Sequence, residues 1–421
     1  MPLALVIPVV LLLVLCLASV AFHALLLVRI ASSSRASPRV KAGLASAIPE
    51  PAPSVCVIVP AHNEQGVIGT LARSLMRQTY PRTSLVFSLD RCTDETEQVL
   101  RRELDAGAAA RRAAGDAEVP CEILSIADCP ADWAGKVHAI HRAVVDSGSA
   151  READLLLFAD ADTEFHPDCI RAAVGLLHER KLDLLSLLST LTIRQWFEKV
   201  VQPAAAMELI RQYPLDRVNR ARRPRPFANG QFILVRRGPY EEVGGHAALR
   251  QFLLEDIALA RRLVRKSRGR RIGVFLAGDM LRCRMYADAK AFRRGWKRIY
   301  TESTRRMPRR LTKAAWRLRL TGVVLLLVPW VGMAAGAAVL SAHPGDPLGV
   351  ALLASGGMAA LLAVPAIIWV YAMQGAPVYL AALYPIGAWI VSDILAEAAA
   401  DLQRGTPTRW AGREYNLSVK R

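Results

Sequence analysis

The stretch Leu155-Leu-Leu-Phe-Ala-Asp160-Ala161-Asp162-Thr163 constrains this chain most, because an unbroken apolar run stops abruptly at two carboxylates one residue apart. A short run that is apolar at every position reads as a strand covered on both faces, the condition of a parallel sheet layered between helices. Open sheets of that kind place their ligands beyond the carboxyl ends of the strands. Residues i and i+2 of an extended segment point the same way, so Asp160 and Asp162 can address one divalent cation and the phosphates it carries. An isolated Asp-Xaa-Asp also describes a solvated turn or a helix cap, and the rest of the chain has to decide between the two.

Three earlier runs repeat the design. Val55-Cys-Val-Ile-Val-Pro60-Ala61 leads into Asn63-Glu64 and a helical pattern through Leu71, Leu75 and Met76; Leu85 to Leu89 ends in Asp90, followed by Thr93 to Thr96 and a second helix. Cys121 to Ala127 precedes Trp133-Ala-Gly135-Lys136 and a third. Strands alternating with helices predict a parallel sheet with right-handed crossovers. No GxGxxG or GxxxxGK[ST] occurs at any strand-to-helix turn, which removes the usual support for dinucleotide or P-loop binding. Farther on, Pro167 opens a helix and Leu182 to Leu191 forms a fifth apolar run. Trp196, Phe197, Val200, Val201, Met207 and Ile210 then recur at helical spacing, as core packing or as a helix on the membrane beside an acceptor tunnel. Phe227 to Arg236 and the Gly-rich Tyr240 to His246 are expected to approach the same crevice. Glu255-Asp256 opens another helix, where acids are ordinary caps unless that end faces the crevice; Asp256 then has the character of a base.

Charge and hydropathy divide the chain between lipid and water: 52% of residues are hydrophobic, yet the net charge is +18. The basic residues crowd beside the apolar segments, which suits an anionic membrane surface. No zinc-ligand spacing or aromatic-interleaved basic motif supports nucleic-acid binding. Residues 1–30 read as a transmembrane anchor rather than a cleaved signal, because no cation precedes the apolar run and it exceeds a usual signal core. Arg29, Arg35, Arg39 and Lys41 place the next segment in the cytoplasm. Residues 31–53 read as a linker, 54–288 as a cytoplasmic catalytic domain, and 289–319 as a basic amphipathic interfacial region with Phe292, Trp296, Tyr300 and Trp316. Membrane segments occupy 320–400 and a basic tail 401–421. Three C-terminal crossings would put the tail outside, whereas its arginines and lysines favour the inside, and the segment with Pro385, Gly387 and Asp393 is suspected of being re-entrant. Seven cysteines without a CxxC pair, several of them within apolar strand-like runs, read as buried free thiols in a reducing compartment.

In this order, Val57-Ile-Val-Pro-Ala-His-Asn-Glu64, Asp90 with Thr93 to Thr96, Gly135-Lys136, Asp160-Ala-Asp162, Gly230-Gln231 and Glu255-Asp256 resemble the family 2 glycosyltransferases. Gly244-Gly-His246, Arg284-Met-Tyr286, Gly295-Trp296 and the tail's Trp410-Ala-Gly-Arg413-Glu-Tyr415 are most similar to the hopanoid- and carotenoid-associated bacterial members, and more distantly to ceramide glucosyltransferases. The resemblance implies an α/β GT-A fold, a Rossmann-like mixed sheet, joined to transmembrane helices in a multi-pass protein of the bacterial inner membrane. It implies that Pro60, Ala61, Glu64, Asp90, Lys136 and Asp160 line a nucleotide-sugar site for a UDP-linked donor. It further implies that Asp162 and Asp160 hold Mg²⁺ or Mn²⁺ and that Asp256 is the base of an inverting transfer to a lipid. Gly230, Gln231, Glu255, Arg294 and Trp296 fall on the acceptor or diphosphate side. Where processive synthases carry Gln-x-x-Arg-Trp, this chain reads Phe292-Arg-Arg294-Gly295-Trp296, which argues for transfer of a single sugar. The rival readings are a polyprenyl-phosphate glycosyltransferase, a short-chain polysaccharide synthase, and a catalytically silent membrane scaffold.

Overall fold

The computed structural model describes residues 3–220, 223–266, 271–410 and 413–415; of the tail motif, Ala411 and Gly412 lie outside the described residues, as do Lys420 and Arg421. The first helix, α1 (Leu3–Ala36), has 34 residues and so extends about 51 Å at 1.5 Å per residue. That is longer than a hydrocarbon core of about 30 Å, and its last turn reaches the sheet. The segment expected as a free linker is therefore built in. Asn219 Nδ2 donates to the Ala36 carbonyl at 2.9 Å, and Ser37 Oγ donates to the Val274 carbonyl at 2.8 Å. A 3-10 turn, Val40–Ala45, lies on the helix that comes after the Asp160-Asp162 motif, where a Cβ on Gly43 would stand 2.0 Å from the Ala172 carbonyl oxygen. Small residues that look like linker composition serve close packing here.

β1 (Val55–Ala61), β2 (Thr83–Asp90), β3 (Cys121–Ile126) and β4 (Leu155–Ala159) lie in the order β3-β2-β1-β4, and each adjacent pair is parallel. Two short strands, β5 (Thr163–Phe165) and β7 (Thr190–Leu191), flank β6 (Leu184–Leu188) in the chain; β8 (Phe232–Arg236), β9 (Ile272–Leu276) and β10 (Leu281–Cys283) come after them. The main sheet is completed in the order β4-β8-β6-β9, with β8 antiparallel to both its neighbours. Because β8 runs backward, its first residue Phe232 pairs with the last of β4, Ala159, and the preceding Gly230-Gln231 is delivered to the end where Asp160 emerges. A second sheet of β5, β10 and β7 pairs Cys283 with Thr163, beside Asp162.

Helices cover both faces. α2 (Ile68–Met76), α3 (Thr96–Ala114) and α6 (Cys169–Glu179) pack on one; α4 (Gly135–Asp146), its continuation α5 (Gly148–Glu152), α10 (Arg237–Glu242) and α11 (Glu255–Lys266) pack on the other. In α2 the buried Ile68, Leu71, Ala72, Leu75 and Met76 fall on one stripe at i, i+3, i+4, i+7 and i+8. Truncating one such fully buried leucine to alanine costs about 2–5 kcal/mol.

Between β7 and β8 the chain forms α7 (Trp196–Val200), α8 (Gln202–Gln212) and α9 (Leu215–Val218); after β10 come α12 (Ala289–Ser303), α13 (Pro308–Arg319), α14 (Leu325–Ala342), α15 (Pro347–Met373) and α16 (Tyr384–Arg404). Four stretches among the described residues are long and apolar enough to cross a membrane: Leu5–Ala36, Pro308–Ala342, Pro347–Met373 and Val378–Arg404. α1, α14 and α15 pack together through small residues: a Cβ on Gly356 would meet the Pro329 carbonyl at 2.7 Å, and one on Gly336 the Leu353 nitrogen at 2.7 Å. α16 packs elsewhere, on α8, α12 and α13. Lys297 pairs with Asp401 at 2.5 Å and Arg319 with Asp393 at 2.8 Å.

The basic stretch 289–319 departs from the expected interfacial helix. It breaks into α12 and α13, and Phe292, Trp296 and Tyr300 are buried in a core shared with α8 and α16, while Trp316 is 64% exposed. An amphipathic stripe settles on whichever apolar partner is nearest, and α16 supplies one to α12. The stripe from Trp196 to Ile210 divides likewise: Phe197 and Val201 are core, Met207 and Ile210 line a cavity, and Trp196 is exposed. All seven cysteines are free, and Cys16, Cys56, Cys169 and Cys283 are buried.

Candidate active site

β1, β2 and β4 end at one edge of the sheet, and beyond it opens a cavity of about 1120 Å³. Pro60, Ala61, Glu64, Asp90, Lys136, Asp160, Asp162, Gly230, Gln231, Glu255, Asp256 and Trp296 all line it. Arg294 does not; it is exposed, and Arg298, about one helical turn later on nearly the same face of α12, lines the cavity together with Trp296. Residues four apart lie only about 40° from each other round a helix, so it is the advance of about 6 Å along the axis that brings Arg298 rather than Arg294 to the cavity. Arg298 Nη1 also donates to the Leu253 carbonyl at 2.9 Å, next to α11.

Lys136 ties the two acidic motifs together. Its Nζ lies 2.6 Å from Asp160 Oδ1 and 2.5 Å from Glu255 Oε1. Burial pulls the ammonium pKa down, but the two carboxylates outweigh it and hold the group above its ordinary value. Asp160 and Glu255 are thus engaged by a fixed cation, whereas Asp162 and Asp256 are left for other work. Gly230 permits this packing: a Cβ there would fall 3.1 Å from Lys136 Nζ and 3.4 Å from both Asp256 Oδ2 and Glu255 Oε1.

Asp256 is held by backbone amides. Gly230 N–H donates to Oδ2 at 2.9 Å and Ile257 N–H to Oδ1 at 2.6 Å. Burial, followed by the adjacent Glu255, pushes its pKa up to about 7, while Lys136 and these amides pull the other way. A carboxylate with a pKa near neutral pH is matched to accepting a proton from a hydroxyl.

Asp162 stands differently. Burial, then Asp160 and Glu64, push its pKa up to about 8, and Oδ1 is buried with no hydrogen-bond partner among the described residues. Glu64 is likewise pushed up to about 7 by burial, then by Asp160 and Asp94. Three carboxylates raised together, each chiefly by burial, mark a pocket that disfavours their ionised forms until a compensating charge arrives. Among the described residues no group of three or more His, Cys, Asp or Glu side chains is arranged to hold a metal. The orphan oxygen nevertheless fits a hard cation of the Mg²⁺ type, which takes one or two carboxylates and fills its remaining positions from water and substrate phosphates. Gln231 is engaged within the protein at both ends of its amide: Asn229 Nδ2 donates to its Oε1 at 2.9 Å, Ser189 Oγ donates to the same oxygen, and its Nε2 donates to Cys283 Sγ at 3.0 Å. It buttresses Asp162 through Cys283.

Asp90 is 2% exposed, and both its oxygens accept from the next residue, Arg91, through Nε at 2.8 Å and Nη2 at 2.6 Å. Sequence reasoning passed over Arg91, although its φ of 49° is a left-handed conformation that a non-glycine residue adopts at a cost of about 1–3 kcal/mol. Asn63, after β1, has φ 56°. The loops after two neighbouring strands are thus both strained where they border the cavity. Gly244-Gly-His246, expected at the crevice, lies behind its wall. Tyr240 OH bonds His246 Nδ1 at 2.8 Å, and burial holds His246 down to about 3.

The far arm of the cavity is apolar. Ala206, Met207, Leu209 and Ile210 of α8, Ile299 of α12, and Val370 and Met373 at the end of α15 form its wall. It joins the acidic edge of the sheet to a helix long and apolar enough to cross a membrane.

The sequence family described as "Glycosyltransferase like family 2" matches residues 51–314. Curated relatives include 4,4'-diaponeurosporenoate glycosyltransferase of Staphylococcus aureus strain MRSA252, 25% identical over 246 residues that cover 58% of this chain and 60% of that protein. Its counterpart from the bovine strain RF122 / ET3-1 is 26% identical over 208 residues, 49% of this chain and 50% of that one. The matches therefore span less than two thirds of those relatives' lengths. Among solved structures, a mannosyltransferase from Pyrobaculum calidifontis in complex with GDP-Man and Mn²⁺ is similar with a TM-score of 0.45 and 20% identity, covering 90% of this chain and 98% of that one. Glucosyl-3-phosphoglycerate synthase from Mycobacterium tuberculosis with Mn²⁺, UDP and phosphoglyceric acid has a TM-score of 0.38 and 17% identity, covering 63% and 81%. With the family match spanning more than half of its length, this chain is a member of the family 2 glycosyltransferases, related to the carotenoid-type enzymes.

Proposed function

We propose that the protein moves one sugar from a nucleotide sugar, UDP-linked, to a hydroxyl or carboxyl on a lipid acceptor, with inversion at the anomeric carbon. One observation carries this reading: a single cavity joins Asp162 and Asp256 to an apolar wall that ends on α15. A lipid can enter along that wall and present its polar end to Asp256. The acceptor oxygen forms its bond to the anomeric carbon as the bond to the diphosphate oxygen breaks, and the acceptor proton passes to the Asp256 carboxylate. Asp162, with Asp160, would hold Mg²⁺ or Mn²⁺, which neutralises charge on the departing diphosphate. Lys136 keeps Asp160 and Glu255 at a fixed separation, and Gly230 N–H aims the Asp256 carboxylate.

The test incubates membranes containing the protein with radiolabelled UDP-, GDP- and dTDP-sugars and total lipid extract, with Mn²⁺ or EDTA. Label is expected in the lipid phase, from the UDP-sugar, and reduced by EDTA. Label confined to water-soluble product would sink the lipid acceptor, and activity indifferent to EDTA would remove the metal.

The same reading sets the topology at three crossings, α1, α14 and α15, with α16 lying along the cytoplasmic face. Support comes from the pairing of α16 with α12 and α13, and from Arg413 and Tyr415, which touch the domain that carries the site. A reporter fused after residue 421 is expected to be reached by protease or label from the cytoplasmic side of sealed vesicles; access only from the other side would restore a fourth crossing.

A further inference from the structure

The tail beyond α16 does not trail away. β11 (Thr408–Trp410) and β12 (Arg413–Tyr415) form a two-stranded antiparallel pair, and β12 is set on the loop between β3 and α4. The Arg413 guanidinium donates to the Trp133 carbonyl at 3.0 Å, the Pro130 carbonyl at 3.3 Å and the Cys129 carbonyl at 3.3 Å, and it also approaches Cys129 Sγ. Gly135 N–H, the first amide of α4, donates to the Tyr415 hydroxyl at 3.3 Å. These partners are 280 or more positions apart in the chain. A planar guanidinium suits three carbonyls around one loop, because its N–H groups diverge in a fixed fork that lysine lacks.

The clamped loop borders the base-binding end of the cavity. A Cβ on Gly135 would stand 2.9 Å from Asp90 Oδ2 and 3.1 Å from Arg91 Nη2, so the start of α4 is packed directly on the Asp90–Arg91 pair. The residue after Gly135 is Lys136, which bridges Asp160 and Glu255. A shift of this loop therefore displaces Asp90 and Lys136 together. From this we infer that Arg413 and Tyr415 are positioning residues for the donor nucleoside: the tail forms the outer support of the nucleotide pocket, tying its geometry to α16 and so to the membrane-facing part of the protein. The inference rests on the proposed donor reading, in which the nucleoside sits beside Asp90.

The test uses the full chain in detergent, titrated with UDP, GDP and dTDP by calorimetry, with donor KM and kcat measured in parallel. Arg413→Ala is expected to weaken UDP binding and raise donor KM by about tenfold, the loss of charged hydrogen bonds to one loop, with a smaller fall in kcat through the accompanying shift of Lys136. Tyr415→Phe, which removes only the hydroxyl, moves the same quantities less and in the same direction. Amide hydrogen exchange over residues 128–135 should quicken in both variants, which reports release of the loop even if Arg413→Ala is poorly expressed. Faster exchange with unchanged UDP affinity would overturn the inference, as would unchanged exchange, or a fall in kcat at unchanged KM. Failure of the unmodified protein to bind any of the three nucleotides would instead overturn the donor reading, and the inference with it.

Discussion

Asp256→Asn is expected to lower sugar transfer by about 10²–10⁴-fold, the range a positioned general base contributes, while leaving UDP affinity near that of the unmodified protein. Asparagine can keep one oxygen toward Gly230 N–H but cannot accept the acceptor proton. The measurement is single-turnover transfer with a saturating donor; a variant that transfers at the unmodified rate would remove Asp256 from the reaction. The same residue sets a pH dependence. Its pKa is pushed up to about 7 by burial and Glu255, and a base works only when deprotonated. Transfer by the unmodified enzyme should therefore rise as pH increases through about 7 and level off above it. A rate that is flat from acidic to alkaline pH would contradict the assignment.

Asp162→Asn should have two opposite effects. Transfer should drop by about a hundredfold or more, several kcal/mol of lost charge stabilisation on the leaving group, and what remains should no longer respond to Mn²⁺. Thermal stability of the metal-free protein should rise by about a few degrees. The sign comes from linkage. A carboxyl whose folded-state pKa lies near 8, against an unfolded value near 4, holds its proton more tightly when folded. It therefore costs stability increasingly as pH rises from about 4 to about 8, and fully above that. Asparagine removes the penalty along with the like-charge contacts to Asp160 and Glu64. A site that gains stability on losing its key carboxylate is one arranged for a ligand it must bind, a trade often met at catalytic centres. A metal-free variant less stable than the parent at pH 8 would mean that Asp162 is held by protein contacts and is not waiting for a cation.

Much of the site was legible because it is written at strand ends. Asp90, Asp160 and the Pro60-Ala61 pair each close an apolar run, and parallel pairing of those runs brings their ends to one edge without further information. Gly230 and Gln231 were expected at the same crevice as Asp160, but the route that takes them there was not legible. Their meeting depends on β8 running antiparallel between β4 and β6, and a five-residue apolar strand carries no mark of its direction. Arg294 illustrates the limit within a helix. Arginines crowd α12, and only the placement of the helix along its own axis, fixed by Phe292 and Trp296 packing into the core shared with α8 and α16, brings Arg298 rather than Arg294 to the cavity. The stretch 32–53 misled in the opposite way, since small and polar residues describe a flexible linker and a tightly docked turn equally well.

The strand-helix alternation, the apolar helices, and the residue types on which the proposed reaction draws were all set by the amino-acid order, because they depend on local periodicity and on the chemistry of single side chains. Which carboxylates are free was a matter of three-dimensional packing. Among the described residues, Lys136 occupies Asp160 and Glu255, and Arg91 occupies Asp90, while Asp162 is left with an unpartnered oxygen and Asp256 is held by backbone donors. Packing also turned α16 back to α12 and brought the tail to the Asp90 end of the cavity. Such facts rest on contacts between segments up to 280 or more residues apart, whose free energy depends on the mutual orientation of whole elements, which no short stretch of chain encodes.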